Sequence, residues 1–197
     1  MNNFKDKNFD KNVIKEKIKI AIDTLFSNDA WLLEKDLNER SITHKLAEYM
    51  QPLFSEFNVD CEYNGNVLEN NDRKQIKVLK EELLKKYIKL NKKEINETDY
   101  EFAERLVFPD IIVHKRGEYE CNLCVIEVKK STSKVSAEFD KIKLQAYTND
   151  RFGNNLKYEL GVFIEFMKNT NDLGCKINYF SNGKENACEA EDYMKRV

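Results

Sequence analysis

Apolar residues recur every three or four positions at Ile14, Ile18, Ala21 and Leu25, which predicts an amphipathic helix from Lys11 to Ser27-Asn28-Asp29. The same spacing returns at Ile42, Leu46, Tyr49, Met50 and Leu53. It predicts a second helix from about Glu39 to Ser55, with Asp36 or Asn38 as its N-cap. Phe57 to Val67 alternates apolar and polar residues and runs into Asn64-Gly65-Asn66, so a strand ending in a turn is expected. From Asp72 to about Asn91, apolar residues such as Ile76, Leu79, Leu83 and Tyr87 are set among lysines, and the composition predicts a lysine-rich helix. Asn91 to Val107 reads as a loop with room for a short helix.

Val107 to Lys115 and Cys121 to Lys130 are β-branched runs around Arg116-Gly117-Glu118, which predicts an antiparallel hairpin. Ser136 to Asp150 follows as a helix carrying Phe139, Ile142, Ala146 and Tyr147. Tyr158 to Phe166 is a continuous apolar strand, Cys175 to Ser181 a further strand, and Glu185 to Val197 a terminal helix. The expected chain is α/β, with an αβββαβ core, a central mixed sheet flanked by helices, an N-terminal helix and a lysine-rich helical insertion. Its parts are an N-terminal covering helix within 1–35, a core at 39–166 with the insertion at 68–107, and a C-terminal strand and helix at 167–197.

Length limits the alternatives: 197 residues suit one domain with a sizeable core, and hence one active site. With 41% hydrophobic and 35% charged residues the chain has the makings of a globular domain rather than a disordered one. No apolar run approaches the roughly 20 residues of a membrane span, and the N-terminus carries no signal-like apolar core. The expected location is the cytoplasm, with no membrane partner. Five cysteines at irregular spacing fit reduced thiols. Cys121 and Cys124 form a CxxC, but residues three apart on a strand face opposite ways, so packing is the better reading than zinc or iron–sulfur ligation. A net charge of −2 advertises no nucleic-acid binding, so any basic surface would have to be local.

Asp110, Glu127 and Lys129 interrupt the apolar runs of the hairpin. Side chains alternate faces along a strand, so Glu127 and Lys129 share one face while Ile126 and Val128 take the other. The start of the first hairpin strand lies beside the end of the second, which brings Asp110 to the same corner. Buried carboxylates demand compensation. One ammonium against two carboxylates leaves a negative charge that a divalent ion would balance, and oxygen-only ligands suit Mg²⁺ or Mn²⁺. Such an ion polarises a phosphoryl oxygen and acidifies bound water, while a lysine orients that water or stabilises developing charge. The reaction class is metal-assisted phosphodiester hydrolysis. Singly, Glu-x-Lys on a strand and Pro-Asp at a strand start are ordinary patterns; their weight comes from meeting on adjacent strands. Glu39, at the head of the second helix, fits either a first-turn acid favoured by the helix dipole or a member of the same site.

Phe108-Pro109-Asp110 followed by Ile126-Glu127-Val128-Lys129, inside an αβββαβ order, resembles the PD-(D/E)xK nuclease superfamily with its restriction-endonuclease-like fold, from about Glu39 to Phe166. "NERSITHKLAEYM", "VDCEYN", "FPDIIVHKRG" and "VIEVKKS" further resemble a group of small bacterial members whose substrates are generally unassigned. The resemblance implies that Asp110 and Glu127 ligate Mg²⁺ or Mn²⁺, with the Val128 carbonyl as a further ligand. It implies that Lys129 positions the attacking water and that Glu39 binds metal directly or through water. Gln145 would lie beside the site, and Lys141, one turn earlier, either touches a phosphate or is a plain surface lysine.

The leading expectation is a metal-dependent nuclease acting on nucleic acid, with DNA the first choice, in restriction, repair or mobile-element defence. Its rival is a non-catalytic nucleic-acid-binding or interaction subunit that keeps the scaffold; a homodimer and a larger assembly are both open. His44 and His114 lie in no recognisable motif, and no phosphate loop, nucleophile elbow or HExxH is present.

Overall fold

The computed structural model describes residues 9–65, 74–79, 102–118, 121–150, 153–168 and 173–194. Helix α1 (Lys11–Asn28) starts at Asp10, whose side chain accepts from the Asn12 amide, and it buries Ile14, Ile18, Ala21, Ile22 and Leu25. Each fully buried isoleucine or leucine on that stripe contributes roughly 1.5–3 kcal/mol. After the short α2 (Ala30–Glu34), α3 (Glu39–Met50) begins at Asn38, whose side chain accepts from the Arg40 amide at 2.9 Å. Asn38 is thus the cap, while Asp36 sits at φ 54° and is used elsewhere. A 3₁₀ turn with Pro52, Gln51–Phe54, completes the second predicted helix.

The strands are β1 (Asn58–Cys61), β2 (Gln75–Leu79), β3 (Phe102–Leu106), β4 (Ile111–His114), β5 (Asn122–Lys130), β6 (Leu160–Met167), β7 (Gly174–Ser181), β8 (Lys184–Glu185) and β9 (Glu191–Met194). Seven of them form one mixed sheet in the order β1-β4-β5-β6-β7-β8, with β9 also pairing β7. Only β5 and β6 run parallel there, and the crossover between them is α4 (Glu138–Tyr147). The hairpin expected around Arg116-Gly117 is β4 with β5, paired from Ile111 opposite Ile126.

Strand alternation divides the core between the two sheet faces. Ile111, Val113, Cys124, Ile126 and Val128 pack with α1 and α3, whereas Ile112, Val125 and Phe163 pack with α4. A Cβ at Gly161 would come within 3.1 Å of Thr148 Cγ2 and Phe180 Cβ, so this glycine lets α4 lie close on the sheet. Cys121 and Cys124 are both buried, the Cys121 thiol bonding the Glu118 carboxylate at 3.4 Å and Cys124 lying within the apolar core.

Four expected segments are corrected. The predicted lysine-rich helix is, over Gln75–Leu79, the strand β2, and part of the predicted 91–107 loop is β3; the two pair antiparallel from Gln75–Leu106 to Leu79–Phe102. Ile76 and Val78 alternate with Gln75 and Lys77, a period of two that the lysine content masked. Residues 72–73 and 80–91 of that helix, and 92–101 of that loop, lie outside the described residues. The predicted C-terminal helix is instead a 3₁₀ turn, Ala187–Glu189, followed by β9. Pairing along β7 outweighs the local helix propensity, aided by Lys15–Glu189 and Lys19–Glu191 ion pairs at 3.0 and 2.8 Å and a Tyr193 hydroxyl bond to Asp23 at 2.9 Å. The strand predicted over Phe57–Val67 ends at Cys61, because Glu62 takes φ 50° and turns the chain; 66–67 lie outside the described residues. Among the described residues, no helix is long and apolar enough to cross a membrane.

Candidate active site

The site forms where β5 outruns β4. Ile111 opposite Ile126 is the last ladder pair at that end, so the amides of Val128 and Lys130, which point toward the β4 edge, have lost their strand partner. Two carboxylates replace it. Asp110 accepts from the Val128 amide at 2.8 Å, and Glu39, in the first turn of α3, accepts from the Lys130 amide at 2.9 Å. A strand residue presents its N–H and C=O on the same edge, so the Val128 carbonyl faces the space that Asp110 borders. The Lys130 side chain leaves in the other direction, where its ammonium bonds the Asp36 and Leu37 carbonyls and the Asp36 carboxylate.

On the opposite face of β5, Glu127 and Lys129 point at α4. Glu127 is fully buried, and its Oε2 accepts from Lys143 Nζ at 2.6 Å. Lys143 also pairs with Asp140 at 2.9 Å, and Asp140 in turn pairs with Lys129 at 3.2 Å. The other Glu127 oxygen, Oε1, is buried and meets no hydrogen-bond partner among the described residues. An unpaired buried acceptor costs roughly 1–3 kcal/mol, so the chain carries a defect at the centre of this cluster.

Burial pushes the Glu127 carboxyl well above the usual carboxylate range; Lys143 pulls against it, and Asp110 and Asp140 push further up. Burial likewise raises Asp110, the Val128 amide opposing and Glu39 and Asp140 reinforcing. For Lys143, burial works to discharge the ammonium, but Glu127 and Asp140 outweigh it and hold the group above its ordinary value. The lysine therefore stays charged beside Glu127 and Asp110, the two acids that burial makes resist ionising together.

These groups line an open cleft of about 700 Å³ whose outer wall includes Arg40, His44, Glu62 and Phe108. Among the described residues, no three His, Cys, Asp or Glu side chains gather as a ligand cluster. The donor chemistry nevertheless fits a hard divalent ion: the unpaired Glu127 Oε1, the Asp110 carboxylate and the Val128 carbonyl are all oxygen donors at one corner, with Lys143 supplying positive charge beside them.

Asp110, Glu127, Val128, Lys129 and Glu39 thus border one cleft. Gln145 does not line it: two residues past Lys143, it lies roughly 200° around α4. Lys141 is turned to Glu185 at 3.4 Å. His44 stands on the cleft wall, whereas His114 is buried against Asp60 at 2.9 Å. The sequence reading missed Lys143 and Asp140. The signal for Lys143 was present in the spacing, because Phe139, Ile142, Lys143, Ala146 and Tyr147 form one helical stripe in which a lysine holds an apolar position. Compared with known proteins, the chain matches no protein-family model, no curated protein and no solved structure.

Proposed function

We propose that this chain is a divalent-metal-dependent nuclease hydrolysing phosphodiester bonds of nucleic acid, with DNA the first candidate, on a PD-(D/E)xK-like core. The observation that carries the reading is the unpaired, buried Oε1 of Glu127 beside Asp110, an arrangement that costs stability and that an added cation would relieve. The order α3-β1-β4-β5-α4-β6, with Asp110, Glu127 and Lys129 at the splayed end of β4 and β5, also supports it.

Asp110, Glu127 and the Val128 carbonyl would hold the ion, with Glu39 within reach of the same corner. The ion would supply Lewis-acid activation of the phosphoryl group. Lys129, held by Asp140, orients the attacking water and offsets charge growing on the phosphate. Lys143 keeps Glu127 in place. Asp110 and Glu39 fix the free edge of β5 and so set where the Val128 carbonyl points.

The test is incubation with plasmid, linear duplex, single strands and RNA, with and without Mg²⁺ or Mn²⁺. Wild-type cleavage should require the metal, Glu127→Gln should show none, and Lys129→Met should lose about 100-fold or more. Cleavage at the wild-type rate by Glu127→Gln would exclude this site.

A second reading is favoured by one contact. Lys143 at 2.6 Å from Glu127 already neutralises part of the acid pair, as a scaffold kept for binding alone would need. Melting temperature separates the two: Mg²⁺ or Mn²⁺ raises it if the folded chain binds the ion. Nucleic-acid binding with neither cleavage nor a metal-induced shift favours the binding module.

A further inference from the structure

The acids at the bottom of the cleft make its mouth informative. Among the described residues, Glu39, Glu62, Asp110, Glu127 and Asp140 line the cleft with Arg40, Lys129 and Lys143 as the permanent cations. The exposed Arg40 is itself engaged by Glu62 at 2.9 Å. The described wall carries more acids than cations and so offers little to a polyanion, and among the described residues the contacts left for a nucleic acid are the ion and uncharged groups. Phe108 is the large apolar side chain that offers one: it is 52% exposed, lines the cleft and stands two residues before Asp110.

A lone exposed phenylalanine on an ordinary surface needs no explanation. This one differs in where it is and how it is held. The following residue, Pro109, is buried, and a residue before proline is confined to extended backbone. The ring is therefore presented at the rim by a stiff, anchored segment, and little backbone freedom is lost when something stacks on it. About half of the side chain is open to solvent, and a flat aromatic ring can stack on a base of any sequence, which is how bases of single-stranded nucleic acid are bound. A paired base inside a duplex keeps its faces covered by its neighbours.

We infer that Phe108 is a stacking platform for an unpaired base next to the reacting phosphodiester, so that the cleft takes single-stranded or frayed nucleic acid in preference to intact duplex. The inference rests on the phosphodiester reading of the cleft. Its test is equilibrium binding of a short oligothymidylate and of a blunt duplex, with Ca²⁺ in place of Mg²⁺ to hold turnover down, for the wild type, Phe108→Ala, Phe108→Leu and Phe108→Trp. Alanine and leucine should both weaken single-strand binding by roughly 5- to 150-fold, the span for one base stacked on an aromatic ring. Tryptophan should restore it, and duplex binding should move by less than about twofold, well below the loss for one stacked base. Equal losses on both substrates, a leucine variant that binds like the wild type, or a wild type that binds no single strand would each overturn the inference. Metal-dependent cleavage, followed in parallel with Glu127→Gln, separates the two readings. Single-strand binding through Phe108 without any cleavage removes the enzyme and keeps the platform, whereas cleavage with binding indifferent to Phe108 does the reverse.

Discussion

Two charge clusters sit toward opposite ends of β4, and they are built to different standards. At the His114 end, Asp60 on β1 has every oxygen engaged: Oδ2 meets His114 Nε2 at 2.9 Å and Arg116 Nε at 2.8 Å, and Oδ1 meets Arg116 Nη2. The Arg116 bonds hold the Asp60 carboxyl below its ordinary value against the pull of burial, with His114 adding to them. At the Asp110 end, burial drives Glu127 and Asp110 upward, and one Glu127 oxygen is left without a partner among the described residues. The first cluster is closed and self-sufficient. The second spends stability on an arrangement that something from outside can complete, and this difference distinguishes a structural ion group from a candidate site.

The most severe way to break the comparison is to remove the cation on which the incomplete cluster leans. Lys143→Met keeps the apolar stem but leaves Glu127 buried beside Asp110 and Asp140 without its ammonium, and breaking a buried pair from one side costs roughly 3–5 kcal/mol. Urea unfolding at neutral pH should show that loss, and saturating Mg²⁺ should recover part of it, because a ligand specific for the folded state stabilises by mass action. A loss that Mg²⁺ leaves untouched would make the Asp110 end as self-contained as the other.

How much of this was legible in the sequence depends on the distance over which each signal acts. Asp110, Glu127 and Lys129 could be brought together because strand alternation and hairpin pairing are local rules, and both hold in β4 and β5. Glu39 was readable as a first-turn acid of α3 or a member of the site, but its bond to the Lys130 amide depends on how far β5 outruns β4, which no pattern in either segment states. Lys143 was readable in principle as a lysine within an apolar stripe, yet only the close seating of α4 over Gly161 turns that oddity into a contact with Glu127. β2 was misread because lysines suggested a helix surface while Ile76 and Val78 carried the strand period. β9 was misread because its reason to be extended is the edge of β7, a partner elsewhere in the chain.

A gentler comparison uses protons. His114 faces Asp60, Arg116, Lys74 and the Tyr63 ring, whose centroid is 4.8 Å away; burial lowers its pKa, Asp60 opposing and Lys74 reinforcing. The folded state then holds fewer protons than the unfolded one just below the ordinary histidine value of 6.5, so stability is complete above that pH and drains as pH falls through the lowered folded value. Urea midpoints from pH 7 to 5 should fall more for the wild type than for His114→Gln, and Mg²⁺ should not alter the gap between them, since the ion belongs to the other cluster. Parallel profiles for the two proteins would remove His114 from the account.

The smallest effect sharpens the contrast most. Arg116 supplies two of the bonds to Asp60, but its own side chain is 59% exposed, so water screens the pair and can replace it. Arg116→Met should therefore cost no more than about 1 kcal/mol, with His114 still holding Oδ2 and solvent reaching Oδ1. Set beside Lys143→Met in the same urea series, it asks whether two lysine- or arginine-bound carboxylates differ because of the pairing or because of the burial. A large loss at Arg116 would mean that pairing alone sets the energy of both clusters. A small one leaves the desolvated, incompletely bonded Glu127 as the place where this chain holds free energy that a ligand can release.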